Sequence, residues 1–303
     1  MLLHGGPGDV QSPFVSTDAP YEKDFVLVQW DQRGAGRTFA KNGAAGVTPE
    51  KLIADGIDLT EQQHKRFPRA PLILFVHSWG SSIIATSMAQ QRRELFLAYV
   101  GTGQVTGWAD TVQFQFDFLK QHYKEKGDRA ALAALEAIGK PDPMNVQQHF
   151  GISRPIRQNM NASDTAWLTG LRNSYSANGE TEAALKAIGD GMSASGPALI
   201  GASVATDFPA TATSFKIPYY VIQGRHDLFA PTPLVEAYFN KGLSSEEAPD
   251  HHRRRRPLRA GHAPGRGDRI AEGSDPVTLH SLRRRAHDKL PTVISKCHAV
   301  PSR

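Results

Sequence analysis

The sequence predicts an α/β fold built on a mainly parallel sheet, and three observations point there. Apolar runs recur that break at once into Gly-rich or Ser-Gly turns. The runs are near-continuous rather than alternating, as strands buried on both faces are. Between two of them lie about a hundred residues with helical spacing and no strand pattern. Strand, loop and helix in repetition place any chemistry at the carboxyl ends of the strands. A chain of 303 residues, 40% hydrophobic, can bury the core that this requires.

The first run is short, Met1 to Leu3, and leads into His4-Gly5-Gly6-Pro7-Gly8. Glycines in such a loop let backbone N–H groups come close to a developing oxyanion. The second run, Phe25 to Trp30, reads as a strand that ends at Asp31-Gln32-Arg33 and breaks at Gly34 and Gly36. The third, "PLILFVHSWGSS", turns directly into the helical "SSIIATSMAQQRREL". Ser78 stands at that turn, where the free N–H groups of a helix start favour negative charge. A serine there either caps the helix or acts as a nucleophile, and S-x-G alone does not separate the two.

Thr106 to Phe208, rich in Ala, Gln, Glu and Lys, reads as an inserted helical region. The last run, "IPYYVIQGRHD", is a buried strand ending in Gly224 and Asp227, where a carboxylate can orient a histidine. The expected organisation is therefore a core over residues 1–105, a helical cap over 106–208, and a second part of the core over 209–241.

Taken in order, "HGGPG", "WDQRGAGRT", "HSWGSS" and "VIQGRHDLFAPT" resemble the proline iminopeptidase (prolyl aminopeptidase) branch of the α/β-hydrolase fold, over roughly Leu2 to Lys241. The resemblance implies Ser78 as nucleophile, Asp227 as the acid of a triad, and the backbone N–H groups of Gly6 and Trp79 as oxyanion donors. It implies no cofactor and no metal. The chain departs from the family at several points. Val76 stands where the family has Gly, which would crowd the turn at Ser78 at a cost of about 1–3 kcal/mol. Only "MLL" precedes the glycine loop, so an edge of the sheet is expected to be open. The Trp-x-x-Trp-Glu signature of the cap is absent, Trp108 and Trp167 lying far apart. Glu180, Glu182 and Asp207 are the cap carboxylates available to a substrate amine.

The segment "DHHRRRRPLRAGH", Asp250 to His262, breaks with everything before it. From Gly242 onward the chain holds 13 Lys and Arg against 7 Asp and Glu, so this segment carries +6 and the preceding 241 residues −1. The basic balance thus belongs to the tail and does not suggest that the body binds nucleic acid or a membrane surface. In the family a last strand close to "LTIIDGAGHF" follows and carries the catalytic histidine. Reading the ordinary codons of "EEAPDHHRRRRPL" one nucleotide later admits "KK-x-LTIIDGAGH" without contradiction. Residues 242–303 are therefore read as a frame-shifted, disordered translation, with 11 Arg from His251 to Arg303 and no apolar period. As written, His262 is the candidate for the missing imidazole. His4, His77 and His226 read as supporting, packing and loop residues, and no histidine spacing suits a metal.

The function expected is a cofactor-free serine hydrolase acting on a small peptide or ester, removing an amino-terminal proline or similar residue. The alternatives are an amide or ester hydrolase of the same fold with another substrate, and an inactive remnant without its triad histidine. Ser78 in place of Asp argues against chemistry that needs a carboxylate attacking carbon. A single cysteine, Cys297, and the lack of a signal peptide or an 18-residue apolar run suggest a cytoplasmic protein.

Overall fold

The computed structural model describes residues 1–159, 166, 169, 173 and 182–242. Trp167, Glu180, His262 and nearly all of the basic tail lie outside the described residues. Four parallel strands form one sheet in the order β1 (Leu2–Leu3), β2 (Ile73–His77), β3 (Ala98–Thr102) and β4 (Tyr219–Ile222). Phe75 pairs with Val100 and Val100 with Tyr220, which sets the carboxyl ends of β2, β3 and β4 level with one another. The β-branched and aromatic content of "ILFVH", "AYVGT" and "YYVI" suits a pleated surface covered on both faces.

Two elements differ from the expectation. β3 is not announced by the sequence: its five residues follow the helix Thr86–Gln91 so closely that "LFLAYVGT" merges with the helical apolar pattern. The expected strand Phe25–Trp30 is reduced to one bridge, Gln29 to Leu2, with Leu2 N–H donating to Val28 O at 2.9 Å. Its partner, β1, is two residues long, so a longer ladder has nothing to pair with. Val26 is left 62% exposed, and an apolar groove of about 350 Å³ opens beside it, lined by Phe25, Leu27, Phe67, Phe75 and Leu97.

The main core joins sheet and helices through Leu74, Val76, Ile84, Met88, Tyr99 and Tyr219. Helix Pro49–Arg66 begins on Thr48, whose hydroxyl caps Lys51 N–H, and has proline in its first turn, where a missing N–H costs nothing. It buries Leu52, Ile53, Gly56 and Thr60, one face of a 3.6-residue period, against the helical turn Gly80–Ala85 and helix Thr86–Gln91.

Helices Trp108–Lys126, Arg129–Ile138 and Val146–Gln158 enclose a separate core of Val112, Phe116, Leu119, Leu135, Ile152 and Ile156. Helix Glu182–Ser203 instead packs on helix Gly36–Asn42. The two ends of this helical region are joined: Gly107 and Asp207 form an antiparallel bridge, flanked by Trp108 N–H to Thr206 O at 3.2 Å and Phe208 N–H to Thr106 O at 2.9 Å. Among the described residues no helix is long and apolar enough to cross a membrane.

Candidate functional site

The site forms where β1 to β4 end side by side. β2 ends at His77, and Ser78 takes φ 50°, the one positive φ of a non-glycine among the described residues. A side chain in that region costs on the order of 1–3 kcal/mol, and the surroundings hold it there. Ser78 N–H donates to Thr102 O at 2.9 Å, which ties the turn to β3. A π-helical turn, Gly80–Ala85, then leads into helix Thr86–Gln91. Val76 is fully buried in the main core, and the strained backbone lies two residues later, at Ser78.

The glycine loop lies directly against this elbow. A Cβ on Gly5 would sit 3.2 Å from Ser78 Cβ and 3.2 Å from His77 Cδ2, and a Cβ on Gly80 only 2.3 Å from His4 O. Gly6 has φ 114°, a conformation that L side chains rarely adopt. Beneath the loop, His4 Nδ1 donates to Gly5 O at 2.8 Å. Burial pushes the His4 and His77 imidazoles below the usual histidine range, so both are neutral at pH 7.

Asp227 follows β4. Its Oδ1 accepts the backbone N–H groups of Phe229 at 2.8 Å and Ala230 at 2.9 Å, and its Oδ2 accepts Gln223 Nε2 at 3.1 Å. Gly103, with φ 53°, separates this carboxylate from the elbow: a Cβ there would lie 3.3 Å from His77 Cε1 and 3.7 Å from Asp227 Oδ2. Ser78 thus follows β2 and Asp227 follows β4, strands two sheet spacings apart, about 10 Å, with β3 between them.

The sequence singled out Ser78, Gly6, Trp79 and Asp227, and the fold places all four on neighbouring loops at this end of the sheet. Trp79 is buried, and its indole N–H donates to Ser203 Oγ at 2.7 Å. Among the described histidines, His64 bonds Leu95 O, His77 lies 3.0 Å from Thr102 Oγ1 beside the site, His122 stacks on Phe118, His149 lies tilted against Trp108 at 4.1 Å, and His226 is exposed. Of the cap carboxylates, Asp207 accepts Ala210 N–H as the cap of the short helix Phe208–Thr211. Gln104, Gln223 and Gly103 were missed from the sequence. The available signal was a polar residue closing a buried strand, as Gln223 does in "YYVIQG". Among the described residues no group of His, Cys, Asp or Glu could hold a metal ion.

Residues 1–170 match the family described as serine aminopeptidase, S33. A curated relative, the probable aminopeptidase YbaC of Bacillus subtilis (strain 168), is 29% identical over 258 residues, covering 80% of this chain and 77% of its own. Among solved structures, the proline iminopeptidase of Mycobacterium smegmatis matches with a TM-score of 0.51 at 16% identity, covering 80% of this chain and 78% of that one. A proline iminopeptidase-related protein from Thermus thermophilus matches with a TM-score of 0.50 at 17% identity, covering 80% and 77%. At these identities the structures show the fold, which is that of the α/β-hydrolases.

Proposed function

Since the chain belongs to the serine aminopeptidase S33 family of α/β-hydrolases, we propose that it is a serine hydrolase that removes an amino-terminal residue, proline or a similar one, from small peptides. The observation that carries the reading is the backbone of Ser78, held at φ 50° between the end of β2 and the start of a helix. That geometry lifts the hydroxyl out of the strand toward the glycine loop, as a nucleophile requires. The hydroxyl attacks the scissile carbonyl, and the N–H groups of Gly6 and Trp79 receive the negative charge on its oxygen. Asp227 orients the imidazole that takes the Ser78 proton and returns it to the leaving amine. The imidazole belongs to the segment after Lys241, where His262 is the candidate as the chain is written.

Hydrolysis of proline β-naphthylamide and of p-nitrophenyl acetate tests this. Turnover by the full chain falls by about 10³-fold or more in Ser78→Ala and Asp227→Asn. Turnover that survives Ser78→Ala refutes the nucleophile. Loss of turnover in His262→Ala assigns the base as written. Feeble turnover that rises only when the reading frame is restored after Lys241 assigns it to the histidine of the other frame.

A further inference from the structure

Behind Asp227 lies a chain of hydrogen bonds that the triad does not require. Gln223, buried at the end of β4, is bonded through both its amide nitrogen and its amide oxygen. Nε2 donates to Asp227 Oδ2 at 3.1 Å and to Ala230 O at 2.7 Å, and Oε1 accepts Gln104 N–H at 2.9 Å. Two acceptors on one side and a backbone donor on the other fix the amide's orientation, because the flipped amide would face N–H with N–H. Gln104, fully buried after β3, is held in turn: its Oε1 accepts the Tyr99 hydroxyl at 3.0 Å and its Nε2 donates to Val105 O at 3.0 Å. Gly101 makes room for it, since a Cβ there would sit 2.4 Å from Gln104 Oε1. A rigid path therefore runs from the middle of the sheet to one oxygen of the carboxylate.

We propose that Gln223 is a positioning residue for the acid: it pins Asp227 Oδ2, through Gln104 and Tyr99, at the angle from which the carboxylate meets the catalytic imidazole. The inference rests on the reading of Ser78 and Asp227 as nucleophile and acid. Two backbone N–H bonds hold Oδ1, and because rotation about Cβ–Cγ carries both oxygens together, the Gln223 amide on Oδ2 stiffens the same torsion from the other oxygen. The titratable and charged groups around it are few. His77 faces Oδ2 across Gly103, Tyr99 ends the relay, Arg225 and His226 stand exposed on the same turn, and Arg157 lies over the Phe229 ring.

The test is the pH profile of kcat/KM for an activated ester in the full chain. Gln223→Met keeps the shape and removes the donor; kcat falls about tenfold or more with KM nearly unchanged, as for an acid–base group out of register. Gln223→Glu keeps shape and donor only while the new carboxyl is protonated, and two carboxylates in contact hold one proton to a raised pH. This variant therefore works only above the pH at which the catalytic imidazole loses its proton and below that at which the shared proton leaves, so its profile gains a descending alkaline limb absent from the parent's. A structural role alone would leave the pH profile in place. Parental kcat and pH profiles in both variants, in a chain whose turnover depends on Ser78, overturn the inference and spare the proposed function. Turnover independent of Ser78, or none even with the reading frame restored after Lys241, overturns both.

Discussion

The indole N–H of Trp79 donates to Ser203 Oγ at 2.7 Å, joining the residue after the strained turn at Ser78 to the last residue of helix Glu182–Ser203. Ser203 in turn donates to Leu199 O at 2.9 Å, so one hydroxyl serves the elbow and its own helix. Ser203→Ala leaves a buried indole N–H without an acceptor and costs about 1–3 kcal/mol. Equilibrium denaturation in urea should show that loss as a lower midpoint with an unchanged slope.

The contact of Gly80 with His4 gives a sharper contrast. Gly80→Ala forces a methyl to within 2.3 Å of a backbone oxygen at the end of β1, and neither backbone can yield. The variant should lose several kcal/mol, on the scale of overpacked cores. Gly189→Ala, in a helix with nothing within 4 Å, should gain about 0.5–1 kcal/mol. Thermal melts of the two variants will move in opposite directions.

Ser78→Gly relieves the positive φ and should stabilise the fold by about 1 kcal/mol while abolishing labelling by a fluorophosphonate. A stability gain together with lost reactivity would mark Ser78 as a residue kept for chemistry.

Burial lowers the His149 pKa to about 4 from an unfolded value of 6.5, so the folded state holds this ring neutral. Between those values the unfolded chain binds more protons, and stability is lost as pH falls from about 6.5 to 4, by on the order of 2–3 kcal/mol. His149→Phe keeps an aromatic ring on Trp108 and should flatten the melting temperature across that window.

Much of this site was legible because turns have chemical signatures. The order of "HGGPG", "HSWGSS" and "GRHD" places three loops after three parallel strands, β1, β2 and β4, without knowledge of any contact. Pairing is another matter. Whether Phe25–Trp30 forms a strand depends on how much of β1 lies opposite it, which no local pattern records. β3 was hidden for a related reason: "AYVGT" becomes a strand only because β2 and β4 flank it. The path from Tyr99 to Asp227 joins residues on two strands and a loop, and the spacing of glutamines along a chain says nothing about which amide will meet which.

The bridge between Gly107 and Asp207 reaches beyond catalysis. It closes the helical region at its base, so the chain leaves the sheet and returns to it at nearly the same point. The entropy of bringing those ends together, which grows only slowly with loop length, is already met by the sheet side. A replacement stretch of quite different length could be spliced between the same two residues without breaking a single pairing among β1 to β4. The fold is thus built as a socket: the sheet and its end loops can stay fixed while the helical region between Gly107 and Asp207 is exchanged whole.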